Sequence, residues 1–152
     1  MTDMNLQAMQ NRASAQTDQV LAQAMSVRMF VYSIKFSAVA AAAGTFSGNL
    51  QITADADFLI QYQNSLVWDP TAHSEITNPG AVVQIQDSGS STNFFNQAVP
   101  IQSVFGDGYR PFLLPMPRLV SKNSTLSISG TNATTTNAVD IYLSFIGMKV
   151  YQ

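Results

Sequence analysis

His73 is the only histidine in the chain. It lies in Asp69-Pro70-Thr71-Ala72-His73-Ser74-Glu75, where Asp69, His73 and Glu75 offer one nitrogen and two carboxylates to a cation. A zinc site of the usual kind needs more nitrogen or sulfur than this, and there is no cysteine to supply it. The segment reads as a polar loop. A Ser-His-Asp hydrolase would depend on the same histidine, and no Gly-x-Ser-x-Gly turn presents a nucleophile. Asp55 and Asp57 form the second group. Carboxylates two positions apart on a strand share a face, as a glycosidase pair or a calcium cluster requires. The stronger reading is that of aspartates at a strand end, which stop pairing and cap a turn. Gly106-Asp107-Gly108 lacks the third glycine and the following helix of a phosphate-binding loop, which sets nucleotide chemistry aside. The residues therefore predict no enzyme, no cofactor and no metal.

Two further patterns carry weaker chemistry. Asn123-Ser124-Thr125 and Asn132-Ala133-Thr134 match the glycosylation triplet, as chance allows in a chain this rich in Asn, Ser and Thr. Tyr109, Arg110, Phe112 and Arg118 could form a stacking platform for sugar or bases. Pro111, Pro115 and Pro117 favour another reading, a rigid extended segment in which Phe112, Leu113 and Leu114 pack or dock.

Composition narrows the partners. Of 152 residues, 46% are apolar but only 11% are charged, against about 25% in an ordinary soluble domain. Ser, Thr, Asn and Gln fill the stretches between apolar runs, and such neutral polar groups are buried against protein at lower desolvation cost than ions. The net charge of −2 and the seven scattered Lys and Arg give no general attraction to nucleic acid or to anionic membrane. The polar start MTDMNLQAMQNRASAQTDQ does not read as a signal peptide, and no apolar run is long enough to span a bilayer.

The elements that must position these groups follow from periodicity. Met1 to about Val27 has neither Gly nor Pro, and Leu6, Met9, Ala13, Val20, Leu21, Ala24 and Met25 recur near helical spacing. Thr2 or Asp3 can cap this helix, whose narrow apolar stripe needs a partner surface, either the chain's own domain or a neighbouring subunit. From Phe30 the period becomes two: Phe30, Tyr32, Ile34 and Phe36 alternate with Val31, Ser33 and Lys35. Further strands are predicted at 48–54, 57–63, 81–87, 98–104, 125–130 and 139–151, the last with a bulge near Gly147, while 38–44 is ambiguous. Turn chemistry at Trp68-Asp69-Pro70, Asn78-Pro79-Gly80, Ser88-Gly89-Ser90-Ser91, Gly106-Asp107-Gly108 and Gly130-Thr131-Asn132 separates them. Short strands with no intervening helix predict an all-β antiparallel β-sandwich. The immunoglobulin pattern lacks its Cys, Trp, Cys framework, leaving a jelly roll over 30–152 with an N-terminal α-helical arm over 1–29.

The stretch Val104-Phe105-Gly106-Asp107-Gly108-Tyr109-Arg110-Pro111-Phe112-Leu113-Leu114-Pro115-Met116-Pro117-Arg118, with Lys122-Asn123-Ser124-Thr125-Leu126, Thr131-Asn132 and Ile141 to Tyr151, resembles tailed-bacteriophage virion proteins, in particular jelly-roll cement or decoration proteins of the capsid exterior. Val83 to Asn96 fits the same pattern. The resemblance covers roughly residues 30 to 152 and implies a structural virion protein without cofactor, made in the host cytoplasm and joined to the capsid as a homo-oligomer, dimer or trimer. Its partner would be the major capsid protein, bridged between neighbouring subunits. Neck, tail or spike proteins and a carbohydrate-binding module are the alternatives. Expected arm contacts are Met4, Leu6, Met9, Leu21, Met25 and Met29, methionine being adaptable at irregular interfaces. Expected aromatic and apolar anchors are Phe94, Phe95, Tyr109, Phe112 and Leu113. Arg110, Arg118 and Lys122 would mark a rim.

Overall fold

In the computed structural model the chain is described over residues 3–22, 26–133 and 136–152. Helix α1 (Asp3–Leu21) is followed by β1 (Ser26–Val39), β2 (Gly44–Gln51), β3 (Asp57–Asp69), β4 (Ser74–Glu75), β5 (Ala81–Asp87), β6 (Thr92–Asn93) and β7 (Val99–Pro100). A one-turn helix α2 (Ile101–Val104) precedes β8 (Phe112–Val120), β9 (Thr125–Asn132) and β10 (Val139–Tyr151).

Two antiparallel sheets form. One runs β1-β10-β3, with β8 and β4 both on the far side of β3; the other runs β2-β9-β5, with β6 and β7 beyond β5. The pairs β1 with β10, β2 with β9, β3 with β8 and β5 with β7 nest inside one another along the chain. A long two-stranded ribbon folded over itself in this way is the double Greek key of a jelly roll, so the predicted sandwich class is the observed one.

Alternation explains which side of each strand faces the interior. Tyr32 and Phe36 of β1, Phe46 of β2, Phe58 and Ile60 of β3, Val83 and Ile85 of β5, Leu126 and Ile128 of β9, and Ile141, Leu143 and Phe145 of β10 make one core between the sheets. Aromatic rings meet across it, Phe36 with Phe46 at 4.8 Å and Phe105 with Phe145 at 5.5 Å. Burial of this set is the main driving force for the fold.

Several elements differ from the sequence reading. β1 begins at Ser26, so Val27 and Met29 belong to a strand rather than to the helix. The second strand is 44–51 instead of 48–54 because Phe46, Gly48 and Leu50 carry the inward row. Only Val99 and Pro100 of 98–104 are strand; Pro100, at φ −55°, stands at the N-cap of α2, which buries Ile101. The bulge at Gly147 has its extra residue, Gln61, on β3: Ile146 pairs with Tyr62 and Gly147 with Ile60. Only glycine fits there, since a Cβ would lie 1.9 Å from the Leu59 carbonyl oxygen. The proline segment is β8, whose ladder to β3 is broken between Leu113 and Arg118, as Pro115 and Pro117 on an edge strand require.

Helix α1 lies along β8 of its own chain. Ala13 and Thr17 are its buried positions, and the Thr17 hydroxyl donates to the Ala13 carbonyl at 2.9 Å and accepts from Gln61 Nε2 at 3.4 Å. Thr2, one of the two capping candidates, and Met25 lie outside the described residues, as do Thr134 and Thr135 of the loop after β9.

Candidate interaction surfaces

The groups with catalytic or metal-binding types do not converge. Asp57 opens β3 and Asp69 closes it, which separates the two ends by roughly 40 Å at about 3.3 Å per residue. Asp57 Oδ1 accepts from the Lys122 backbone N–H at 2.8 Å. Asp69 caps the turn before His73, accepting from Thr71 N at 2.8 Å, Ala72 N at 2.9 Å and Asn137 Nδ2 at 2.9 Å. The Ala72 N–H, then the Asn137 amide, hold the Asp69 carboxyl below its ordinary value. Among the described residues no three His, Cys, Asp or Glu side chains stand close enough to share a metal ion.

Asp55 has another partner, one that residue spacing does not predict. It meets Lys149, an inward-facing and buried lysine of β10. The ammonium donates to Thr53 Oγ1 at 2.8 Å and to both Asp55 oxygens at 3.0 and 2.9 Å. It also lies 4.4 Å from the centre of the Phe30 ring. Tyr32 closes the cluster through its hydroxyl, 2.8 Å from Thr53 Oγ1. The Thr53 hydroxyl, then Lys149, hold the Asp55 carboxyl down at about 2. Burial alone would lower the Lys149 ammonium, but the bond to Asp55 and the fields of Tyr32, Asp55 and Tyr151 outweigh it and raise it. Every donor and acceptor here serves its neighbour, so the cluster fastens the end of the sandwich.

A groove of about 790 Å³ lies between the N-terminal half of α1 and one end of the sandwich. Its walls are Leu6 and Met9 of the helix, Val67 of β3, Ile76 and Pro79 of the loop after β4, and Phe112 and Leu113 of β8, with Glu75, Asp107 and Arg110 among its polar lining. Gly106 and Asp107 shape one side. The Gly106 carbonyl accepts from the Ser65 backbone N–H and hydroxyl at 2.9 and 3.0 Å, and a Cβ on Gly106 would collide with the Arg110 carbonyl oxygen at 1.9 Å. Asp107 Oδ1 then accepts from Tyr109 N and Arg110 N at 2.9 and 2.7 Å, which leaves the Tyr109 side chain 91% exposed at the tip.

Apart from Tyr109 at the loop tip, the expected contact residues whose side chains are described are spread over three places. Leu6, Met9, Phe112 and Leu113 share the groove. Phe94 and Phe95 sit half-buried against the core, ring to ring at 6.2 Å, with the Arg118 guanidinium 4.0 Å over Phe94. Arg118 is therefore stacked on an aromatic, and it also donates to Thr92 Oγ1 at 2.7 Å. Met29 is 77% exposed on β1. The backbones of Met4 and Leu21 lie in α1, while their side chains and all of Met25 are outside the described residues.

Two surfaces escaped the sequence reading. The outer face of the β2-β9-β5 sheet is a ladder of neutral polar side chains: Ser47 opposite Ser129 opposite Gln84, and Asn49 opposite Ser127 opposite Gln86. Thr45 and Thr131 extend it at one end and Gln51 with Thr125 at the other, and none of these positions is ionisable. Their alternation was readable; that the rows align is a property of register. The second surface is the outer row of β1, Val27, Met29 and Val31, all exposed. Extending the period of two back from Phe30 would have found it.

No protein-family model matches the chain, and no curated protein matches it. Among solved structures it is similar to VP2 of infectious bursal disease virus in a subviral particle, at 11% identity and a TM-score of 0.42, over 84% of this chain and 33% of that one. It is also similar to the BFDV capsid protein in decameric form (8% identity, TM-score 0.37, 84% of this chain and 100% of that one) and in 60-mer form (9%, 0.36, 83% and 94%). The chain spans about a third of the length of the VP2 chain. No helix of the described residues is long and apolar enough to cross a membrane.

Proposed function

We propose that the chain is a structural virion protein that binds the exterior of a tailed-phage capsid and bridges neighbouring major capsid protein subunits, with no catalytic role. The observation that supports this reading best is the outer face of the β2-β9-β5 sheet. Its Ser, Thr, Asn and Gln rows are in register and offer hydrogen-bonding groups that bury against protein without leaving an unpaired ion. The helix-walled groove adds apolar anchors from Leu6, Met9, Phe112 and Leu113, and Tyr109 projects beside it. Stabilisation then follows from mass action, since a protein that binds the assembled shell and not the separated subunits favours assembly. Many copies holding several subunits each add avidity.

Co-sedimentation with purified phage particles tests this. Wild type should saturate a fixed number of sites, and Ser127→Glu or Ser129→Glu, which place charge on the polar face, should lower occupancy at least about ten-fold while the melting temperature is kept. Removal of residues 1–22 should weaken binding through loss of the groove wall. A chain that fails to bind particles, or whose charged variants bind as well as wild type, rejects the reading.

A further inference from the structure

A jelly roll leaves sheet edges open, and proteins guard such edges because a row of unpaired N–H and C=O groups recruits another strand. Here β8 is interrupted by Pro115 and Pro117 and covered by α1. β6 and β7 are two residues long. β2 carries Gly44 and Gly48 and an outer row that is wholly polar. The second half of β1 has Lys35, bound to Asp140 at 2.9 Å, and a register break between Phe36 and Val39 with Ala38 at φ 53°. The first half, Ser26 to Tyr32, has none of these. Among the described residues it pairs regularly with β10 on one side and with no strand on the other. It contains neither proline nor glycine, and Val27, Met29 and Val31 are 40%, 77% and 45% exposed on its outer face.

We propose that this half-strand is a docking edge for a second copy of the chain, which pairs with it antiparallel across a two-fold axis at Met29. A two-fold contact needs a self-complementary sequence, residue i facing j while j faces i. With the axis at Met29, Val27 faces Val31 and Met29 faces itself, so the apolar row continues across both copies. Arg28 falls opposite the other copy's Phe30, where cation–π attraction is available. Moving the axis two residues on, to Val31, would set the apolar Val27 against the charged Lys35 and break the apolar row. The two β1-β10-β3 sheets then form one continuous sheet. Seven paired residues bury less than the roughly 800 Å² per partner of a standard interface, which places the contact in the small, transient class. The inference is independent of the virion reading.

Because the chain has no cysteine, cross-linking tests the register directly. Opposed strand residues have Cα atoms about 4.5–5.5 Å apart, inside the disulfide range of about 4.4–6.8 Å, so full-length Met29→Cys should oxidise to a covalent dimer. Ser33→Cys lies on the same strand and face, yet its two copies would be roughly 27 Å apart at about 3.4 Å per residue. Cross-linking at position 29 should be at least about ten-fold faster than at 33. Sedimentation velocity of the wild type should show concentration-dependent dimer, and Met29→Lys should abolish it with an unchanged melting temperature. Equal rates at 29 and 33, a wild type that stays monomeric up to about 1 mM, or association surviving in Met29→Lys overturns the proposal.

Discussion

The Lys149 ammonium sits 2.9 Å from Asp55 Oδ2, where the link between β2 and β3 crosses the end of β10. The lysine is buried and the aspartate half-exposed, so the pair is unequal: the carboxylate is hydrated and the ammonium depends on it. Thr53, Tyr32 and Phe30 complete the lysine's surroundings.

This pair sets an acid dependence. The folded Asp55 carboxyl is held at about 2, below its ordinary 3.8. A depressed carboxyl contributes stability that is present above its unfolded value and lost as pH falls towards the folded one. Melting temperature should therefore drop between about pH 4 and pH 2. Asp55→Asn should melt below wild type at neutral pH, because Lys149 loses its counter-charge, and the gap should close as pH approaches 2. A gap that stays constant with pH would show that the charge on Asp55 contributes nothing.

Gly147 faces the Leu59 carbonyl with no room for a methyl group. Both sides of the clash are backbone in the middle of a sheet, so neither can yield cheaply. Gly147→Ala should cost about 3 kcal/mol or more in chemical denaturation, the upper end of overpacking effects.

Gln63 points into the core from β3, fully buried, and neither its amide nitrogen nor its oxygen meets a hydrogen-bond partner among the described residues. Desolvating an amide without compensation costs about 1–3 kcal/mol. Gln63→Met, which keeps the volume, should raise stability by about 1–2 kcal/mol, read as a higher denaturation midpoint at constant slope.

Ala42 and Ala43 take φ of 52° and 76° in the turn between β1 and β2. A left-handed conformation costs an L-residue roughly 1–2 kcal/mol, and glycine's larger unfolded-state entropy returns part of that. Ala43→Gly should stabilise by about 0.5 kcal/mol, visible as a small rise in melting temperature.

How much was readable from residues alone varies with the physics of each element. β5 and β10 were found to the residue, since Val83 and Ile85, and Val139 to Phe145, alternate without interruption. The start of β1 was not, because Gln, Ala and Met carry the helical texture on from α1 while the ladder to β10 extends pairing back to Ser26. The turn at Ala40 to Ala43 stayed ambiguous because it uses alanine where glycine would announce positive φ. Of the surfaces, the Phe112 and Leu113 segment could be read from its prolines. The Asp55 and Lys149 pair could not, as the two residues are distant in sequence and each resembles an ordinary surface charge. The polar ladder needed the register of three strands at once.

The nested ribbon also dictates how the chain reaches this state. Ser33 and Ser144, 111 positions apart, share a hydrogen bond, whereas Val83 pairs with Val99, much closer along the chain. Entropy of loop closure favours zipping from β5 and β7 outward, with β1 and β10 last. Folding dominated by such non-local pairings takes milliseconds to seconds. Throughout that interval the Val27, Met29 and Val31 strand waits unpaired on both sides, which makes the newly synthesised chain most prone to aggregation at the same residues that the finished protein leaves open.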